Sequence, residues 1–82
     1  MNEKEKFIIS KTVDTVGLFC PVPIFKTREG IDAINIGEIL EIIADDPAAE
    51  EDIKRFAKRT GHELIKFENN DGILRFVIKR AK

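Results

Sequence analysis

Tryptophan and tyrosine are absent from this chain, and cysteine, histidine and methionine occur once each. With six phenylalanines as the only aromatic residues, stacking platforms for unpaired bases are scarce. A single cysteine, Cys20, can close no internal disulfide, whereas a small secreted domain normally carries several. A reducing, cytoplasmic setting is therefore expected. One Cys and one His fall short of the usual zinc ligand set, so neither a metal nor another cofactor is expected. No stretch has the h-region of a signal peptide or the roughly 20 apolar residues of a spanning helix, so no membrane partner is expected. Neither sign of charge dominates: Lys and Arg number 14 against 15 Asp and Glu, a net charge of -1. Such a balance supplies no global field for a phosphate backbone, and direct nucleic-acid contact would need a local basic patch.

What is present suits one globular domain over residues 1–82, with 43% apolar and 35% charged residues. Roughly 25% charged is the ordinary level, so the surface is densely charged. Met1 to Lys6 is polar and charged and reads as a flexible terminus.

The β-branched, partly alternating run Phe7–Val13 predicts a first strand ending near Asp14. Past Cys20-Pro21-Val22-Pro23, apolar or β-branched residues recur at Ile24, Thr27, Ile31 and Ile34, which predicts a helix closed before Gly37. Gly30 inside it disfavours the helix by about 1 kcal/mol against Ala, so that helix must lean on tertiary packing. Ile39–Ala44 is a short apolar run of the kind covered on both faces, a central strand. Asp45-Asp46-Pro47 combines a carboxylate N-cap with Pro at the first helical position. The second helix runs from there to Thr60 with Ala49, Ile53, Phe56, Ala57 and Thr60 inward, and Gly61 ends it. His62–Glu68 and Ile73–Ile78, separated by Asn69-Asn70-Asp71-Gly72, read as a hairpin. The order β-α-β-α-β-β with right-handed crossovers gives an α+β, two-layer sandwich, with two helices on one face of a four-stranded mixed sheet.

If the first two strands are parallel, their C-terminal exits share one sheet edge, and Cys20 and Asp45-Asp46 become neighbours there. Both helix N-termini lie along the same edge. With Cys20 at or next to the first N-cap and Pro21 at the first helical position, the N–H groups of Val22 and Ile24 would point toward the sulfur. A thiolate is then favoured. The opposing reading is a small buried hydrophobe between Phe19 and Pro21, and position alone does not choose between them. Asp45 and Asp46 work against a thiolate, and capping explains at least one of them; whether they also tune release the sequence does not decide. His62 starts the third strand, placing it at the edge opposite Cys20, so no Cys-His dyad is expected and His62 reads as a surface residue. Lys54, Arg55, Lys58 and Arg59 form a basic face on the second helix, in the ordinary case a solvated one.

Gly17-Leu18-Phe19-Cys20-Pro21-Val22-Pro23, followed by Gly37-Glu38 and Ala44-Asp45-Asp46-Pro47, resembles the TusA/SirA-like family of small sulfur carriers. The resemblance runs from Asp14 to Lys79, includes His62-Glu63-Leu64, and centres on the Cys-Pro-x-Pro motif at Cys20, Pro21 and Pro23. It implies a βαβαββ sandwich in which Cys20 acts, with Gly17, Pro21, Pro23, Asp45 and Asp46 supporting it. It further implies a sulfurtransferase cycle: Cys20 takes sulfane sulfur as a persulfide from a cysteine desulfurase or another donor. A downstream acceptor of the DsrE-like kind receives it, in tRNA thiolation, molybdenum cofactor synthesis or sulfur metabolism. The lone cysteine fits independently, because a resolving thiol would displace the cargo. Two rival readings stand: a non-catalytic RNA-binding module using the basic face of the second helix, and a thiol redox regulator acting through mixed disulfides.

Overall fold

Ile39–Ala44 is apolar at five of its six positions because it lies in the middle of a sheet. Its side chains Leu40, Ile42 and Ala44 are wholly buried beneath two helices. The computed structural model describes residues 8–82. In chain order the elements are β1 (Lys11–Asp14), α1 (Val22–Ala33), β2 (Ile39–Ala44), α2 (Ala49–Thr60), β3 (Glu63–Asn70) and β4 (Ile73–Lys79). The sheet order is β1-β2-β4-β3; β1 and β2 are parallel, and β4 runs antiparallel to both β2 and β3. Ile31 and Ile34 from the first helical segment and Ala49, Ile53 and Phe56 from α2 close over Leu40, Ile42, Ala44, Leu74, Phe76 and Ile78. The expected two-layer architecture is the one observed. Among the described residues, no helix is long and apolar enough to cross a membrane.

Four details differ from the sequence reading. The second helix starts at Ala49 with Ala48 as its N-cap and no side-chain cap, two residues later than Asp45-Asp46-Pro47 suggests, because Pro47 stands in the preceding turn and Asp46 receives the Ala48 and Cys20 amides there. The first strand is shorter, Lys11–Asp14, because its partner begins at Ile39: Lys11 already faces Leu40, and Ile8 is 82% exposed. Phe7 and the expected flexible segment Met1–Lys6 lie outside the described residues. The hairpin turn is also tighter than the four-residue cluster suggests. Asn69 and Asn70 pair with Leu74 and Ile73, leaving Asp71-Gly72 as the turn, both at positive φ as a two-residue type I′ connection needs. Finally, β3 carries an irregularity between Leu64 and Lys66. Leu64 and Phe67 both pack on the core, and an odd spacing of three cannot place two side chains on one face of a regular strand. The bulge at Ile65 reconciles them.

The open face of the sheet is held by charge. The Thr12 hydroxyl donates to Glu41 at 2.9 Å, and the Arg75 guanidinium bridges Glu41 and Glu68. Lys66 approaches Glu68 at 3.3 Å. These cations hold the Glu68 carboxyl below its ordinary pKa.

Gly30 shows how closely α1 presses on the sheet. A Cβ there would lie 2.9 Å from Leu40 Cδ1 and 3.2 Å from Val13 Cγ2. Leu40 is 0% exposed and has nowhere to retreat. Overpacking of about 1–3 kcal/mol opposes a helix-propensity gain of about 1 kcal/mol. Gly30→Ala is therefore expected to destabilise the fold in urea titration; a raised midpoint would show that α1 can shift outward freely.

Candidate functional site

Parallel pairing sends the chain out of β1 and β2 at the same edge, and the segment Thr15–Pro21 is anchored there residue by residue. Thr15 is buried and donates from both its N–H and its hydroxyl to the Ile43 carbonyl at 2.7 Å. The Leu18 N–H returns to the Thr15 carbonyl at 3.0 Å across Gly17, whose φ of +87° is the conformation the third residue of a type II turn demands. Gly17 N–H donates to Asp45 Oδ1 at 3.0 Å, and Cys20 N–H donates to Asp46 Oδ2 at 2.7 Å. Asp46 Oδ1 also accepts the Ala48 N–H at 3.1 Å. One carboxylate thus caps the turn that leads into α2 and tethers the residue that carries the thiol. The predicted neighbours are neighbours, and the backbone amides of Gly17 and Cys20 are what join them.

Pro21, not Cys20, occupies the N-cap of α1, Pro23 lies within its first turn, and the Cys20–Pro21 peptide is cis. The Val22 N–H donates to the Phe19 carbonyl at 2.8 Å, so one of the two expected donors is spent on the backbone. Cys20 is exposed, which removes the buried-hydrophobe reading. Its Sγ–H donates instead to Asp52 Oδ2 at 3.2 Å. This hydrogen bond, partial desolvation and the charges of Asp52 and Asp46 all raise the thiol pKa. These surroundings disfavour the thiolate that the sequence reading expected.

Asp52 is the site residue that sequence reasoning missed. A usable signal existed, since it stands three residues after Ala49 and four before Phe56, both inward-facing, and so at the margin of the buried stripe of α2. Its Oδ1 lies 3.7 Å from Arg55 Nη1. Asp52 itself lines a groove of about 250 Å³ between α1 and α2, together with Ile24, Arg28, Arg55, Phe56 and Arg59. The surface flanking Cys20 is apolar: Phe19 is 74% and Phe25 61% exposed, with Val16, Leu18 and Val22 also exposed.

His62 lies past the opposite end of β2. Glu63, next to it, pairs with Lys79, which pairs with Ile39, while Cys20 sits beyond Ala44. Six residues of strand separate them, roughly 20 Å. His62 is half-buried, a departure from the surface position expected of it; its Nδ1 accepts the Ala81 N–H at 3.1 Å, and its ring lies against Phe56. Burial, then Arg80 and Lys82, lower its pKa. The basic face of α2 is not a clear stripe. Lys54 pairs with Glu50 at 2.8 Å and lies over the Phe67 ring, and Arg55 stands near Glu51 and Asp52. Among the described residues no group of three or more His, Cys, Asp or Glu side chains is arranged to hold a metal.

Fold and site together define a small two-layer α/β domain that offers one thiol on a stapled, apolar-rimmed loop. The chain belongs to the family described as Sulfurtransferase TusA, whose pattern it matches over residues 11–80. It is similar to a putative sulfur carrier protein of Archaeoglobus fulgidus, 52% identical over 73 residues, covering 88% of this chain and 95% of that one. It is also similar to the sulfur carrier protein TusA of Allochromatium vinosum, 38% identical over 69 residues and 84% and 91% of the two chains. The solved structure of a SirA-like protein from Desulfitobacterium hafniense has the same fold, with a TM-score of 0.76 at 18% identity over 88% of this chain and 99% of that one.

Replacing Asp46 by Ala removes an acceptor from two backbone amides at once. A loss of about 1–2 kcal/mol is expected, together with faster hydrogen exchange at the Cys20 and Ala48 amides. Unchanged protection at both amides would count against the staple.

Proposed function

We propose that this chain is a sulfur carrier in which Cys20 accepts sulfane sulfur as a persulfide and delivers it to a downstream acceptor. The observation that carries the reading is the lone, exposed thiol of a TusA-family domain, fixed by its backbone and open to solvent at its sulfur. Attack of the Cys20 sulfur on the terminal sulfur of a donor persulfide forms one S–S bond and breaks another. The donor leaves as its thiol, the cargo now sits on Cys20, and no net oxidation or reduction occurs. Discharge to an acceptor thiolate is the same exchange run onward. With no second cysteine in the chain, no internal disulfide can expel the cargo. The free thiol fits a reducing compartment, and the cytoplasm is the reading we adopt.

Donor and acceptor must each bring a sulfur to Cys20, so they must touch the exposed rim beside it. Phe19, Phe25 and Val22 supply apolar area there that a partner would cover. A cysteine desulfurase as donor and a DsrE-like sulfurtransferase as acceptor suit that requirement. Gly17, Pro21, Pro23, Asp45 and Asp46 support Cys20 by shaping its loop.

Incubation with a cysteine desulfurase and cysteine is expected to add about 32 Da, the mass of one sulfur, to the wild-type chain and nothing to Cys20→Ser. An unmodified wild-type chain under those conditions would overturn the proposal. The rim is tested separately. Phe19→Ser and Phe25→Ser should each slow sulfur uptake from the desulfurase about tenfold, while alkylation of Cys20 by iodoacetamide proceeds at the wild-type rate. Equal uptake by all three proteins would show that partners dock elsewhere.

A further inference from the structure

Of the charged side chains near Cys20, one faces the sulfur directly. We propose that Asp52 holds the unloaded Cys20 as a thiol and accepts its proton as the sulfur attacks, which makes Asp52 a second catalytic residue of the carrier. The inference rests on the carrier reading for its reaction, but its geometry stands alone.

From the end of β1, Asp14 accepts the Val16 N–H at 2.9 Å. From the turn between β2 and α2, Asp46 contributes only its charge, because its two oxygens are taken by the Cys20 and Ala48 amides. Asp45 is engaged with the Gly17 amide. From α1, the first turn brings no acidic residue. From α2, Asp52 is half-buried; Arg55 near Oδ1 favours a side-chain orientation that leaves Oδ2 toward the thiol. Arg28 and Arg59 line the same groove as Asp52. The direction of the Cys20 shift agrees, with the Asp52 hydrogen bond as its largest cause.

A proton acceptor within hydrogen-bond reach of the nucleophile is the first requirement of general base catalysis. In the proposed step the Sγ–H proton moves to Asp52 Oδ2 as Sγ bonds to the donor's terminal sulfur. The donor's S–S bond breaks, its electron pair stays on the departing thiolate, and that thiolate takes the proton back from Asp52. Atoms and charge balance without an added oxidant or reductant. At rest the same contact keeps the thiolate fraction low, so the free carrier is shielded from random electrophiles.

The pH profile of iodoacetamide alkylation of the full chain, read by mass, tests the hold. Asp52→Asn keeps the side chain's shape and is expected to move the midpoint down by about one pH unit. Single-turnover uptake from a persulfide-loaded desulfurase, normalised to thiolate fraction, should fall about a hundredfold in the same variant. Asp52→Ser, checked by circular dichroism, is measured alongside and should move both readouts the same way. An unmoved midpoint in the folded variants would overturn the hold, and unchanged normalised uptake would overturn the proton-accepting role. If the wild type takes up no sulfur while the midpoint still moves, the carrier reading fails and the hold survives. If the wild type loads normally and the midpoint is fixed, only the present inference fails.

Discussion

The parallel pairing of β1 with β2 is the constraint from which the functional geometry follows. It forces a helical crossover, returns the chain to the edge it left, and sets the exit of β1 beside the exit of β2. Thr15 ties the first exit to Ile43, and the carboxylates that open the second exit receive the amides of Gly17 and Cys20. Without that register, Asp46 would cap a helix start and Cys20 would end in an untethered loop. With it, a stretch containing two prolines and a positive-φ glycine is held on a rigid base although the sulfur itself faces solvent.

Much of this was legible in the sequence because periodic signals report burial. The apolar run at Ile39–Ala44, the stripe Ala49, Ile53, Phe56 and Ala57, and Gly61 with its left-handed φ all lie where pattern and turn chemistry place them. Errors fell where the outcome depends on what lies across the fold. The first strand begins where its partner begins, a fact about Ile39 that no pattern in Phe7–Val13 contains. The pair Leu64 and Phe67 demanded a bulge, which alternation alone does not represent.

The protonation state of Cys20 could not be read locally for a related reason. Proximity to a helix start argued for a thiolate, but that start has few donors to offer: Val22 turns to Phe19, and Pro21 and Pro23 have no N–H. The deciding group comes from α2, thirty-two residues along the chain. Charge around a nucleophile is a property of the assembled edge, and the edge here is acidic next to the sulfur and basic only farther along the groove. An exposed thiol is thus compatible with a subdued one.

At the far rim, the final residues are strapped down: Ala81 to His62, the Arg80 guanidinium to the Ile34 carbonyl, and the Arg80 backbone to Gly37 and Glu38. Anything joined after Lys82 therefore departs from the side of the molecule away from the sulfur. An affinity handle, a fluorophore or a bead attached at that point leaves the reactive pole unobstructed, so the domain can be immobilised and still meet its partners head-on.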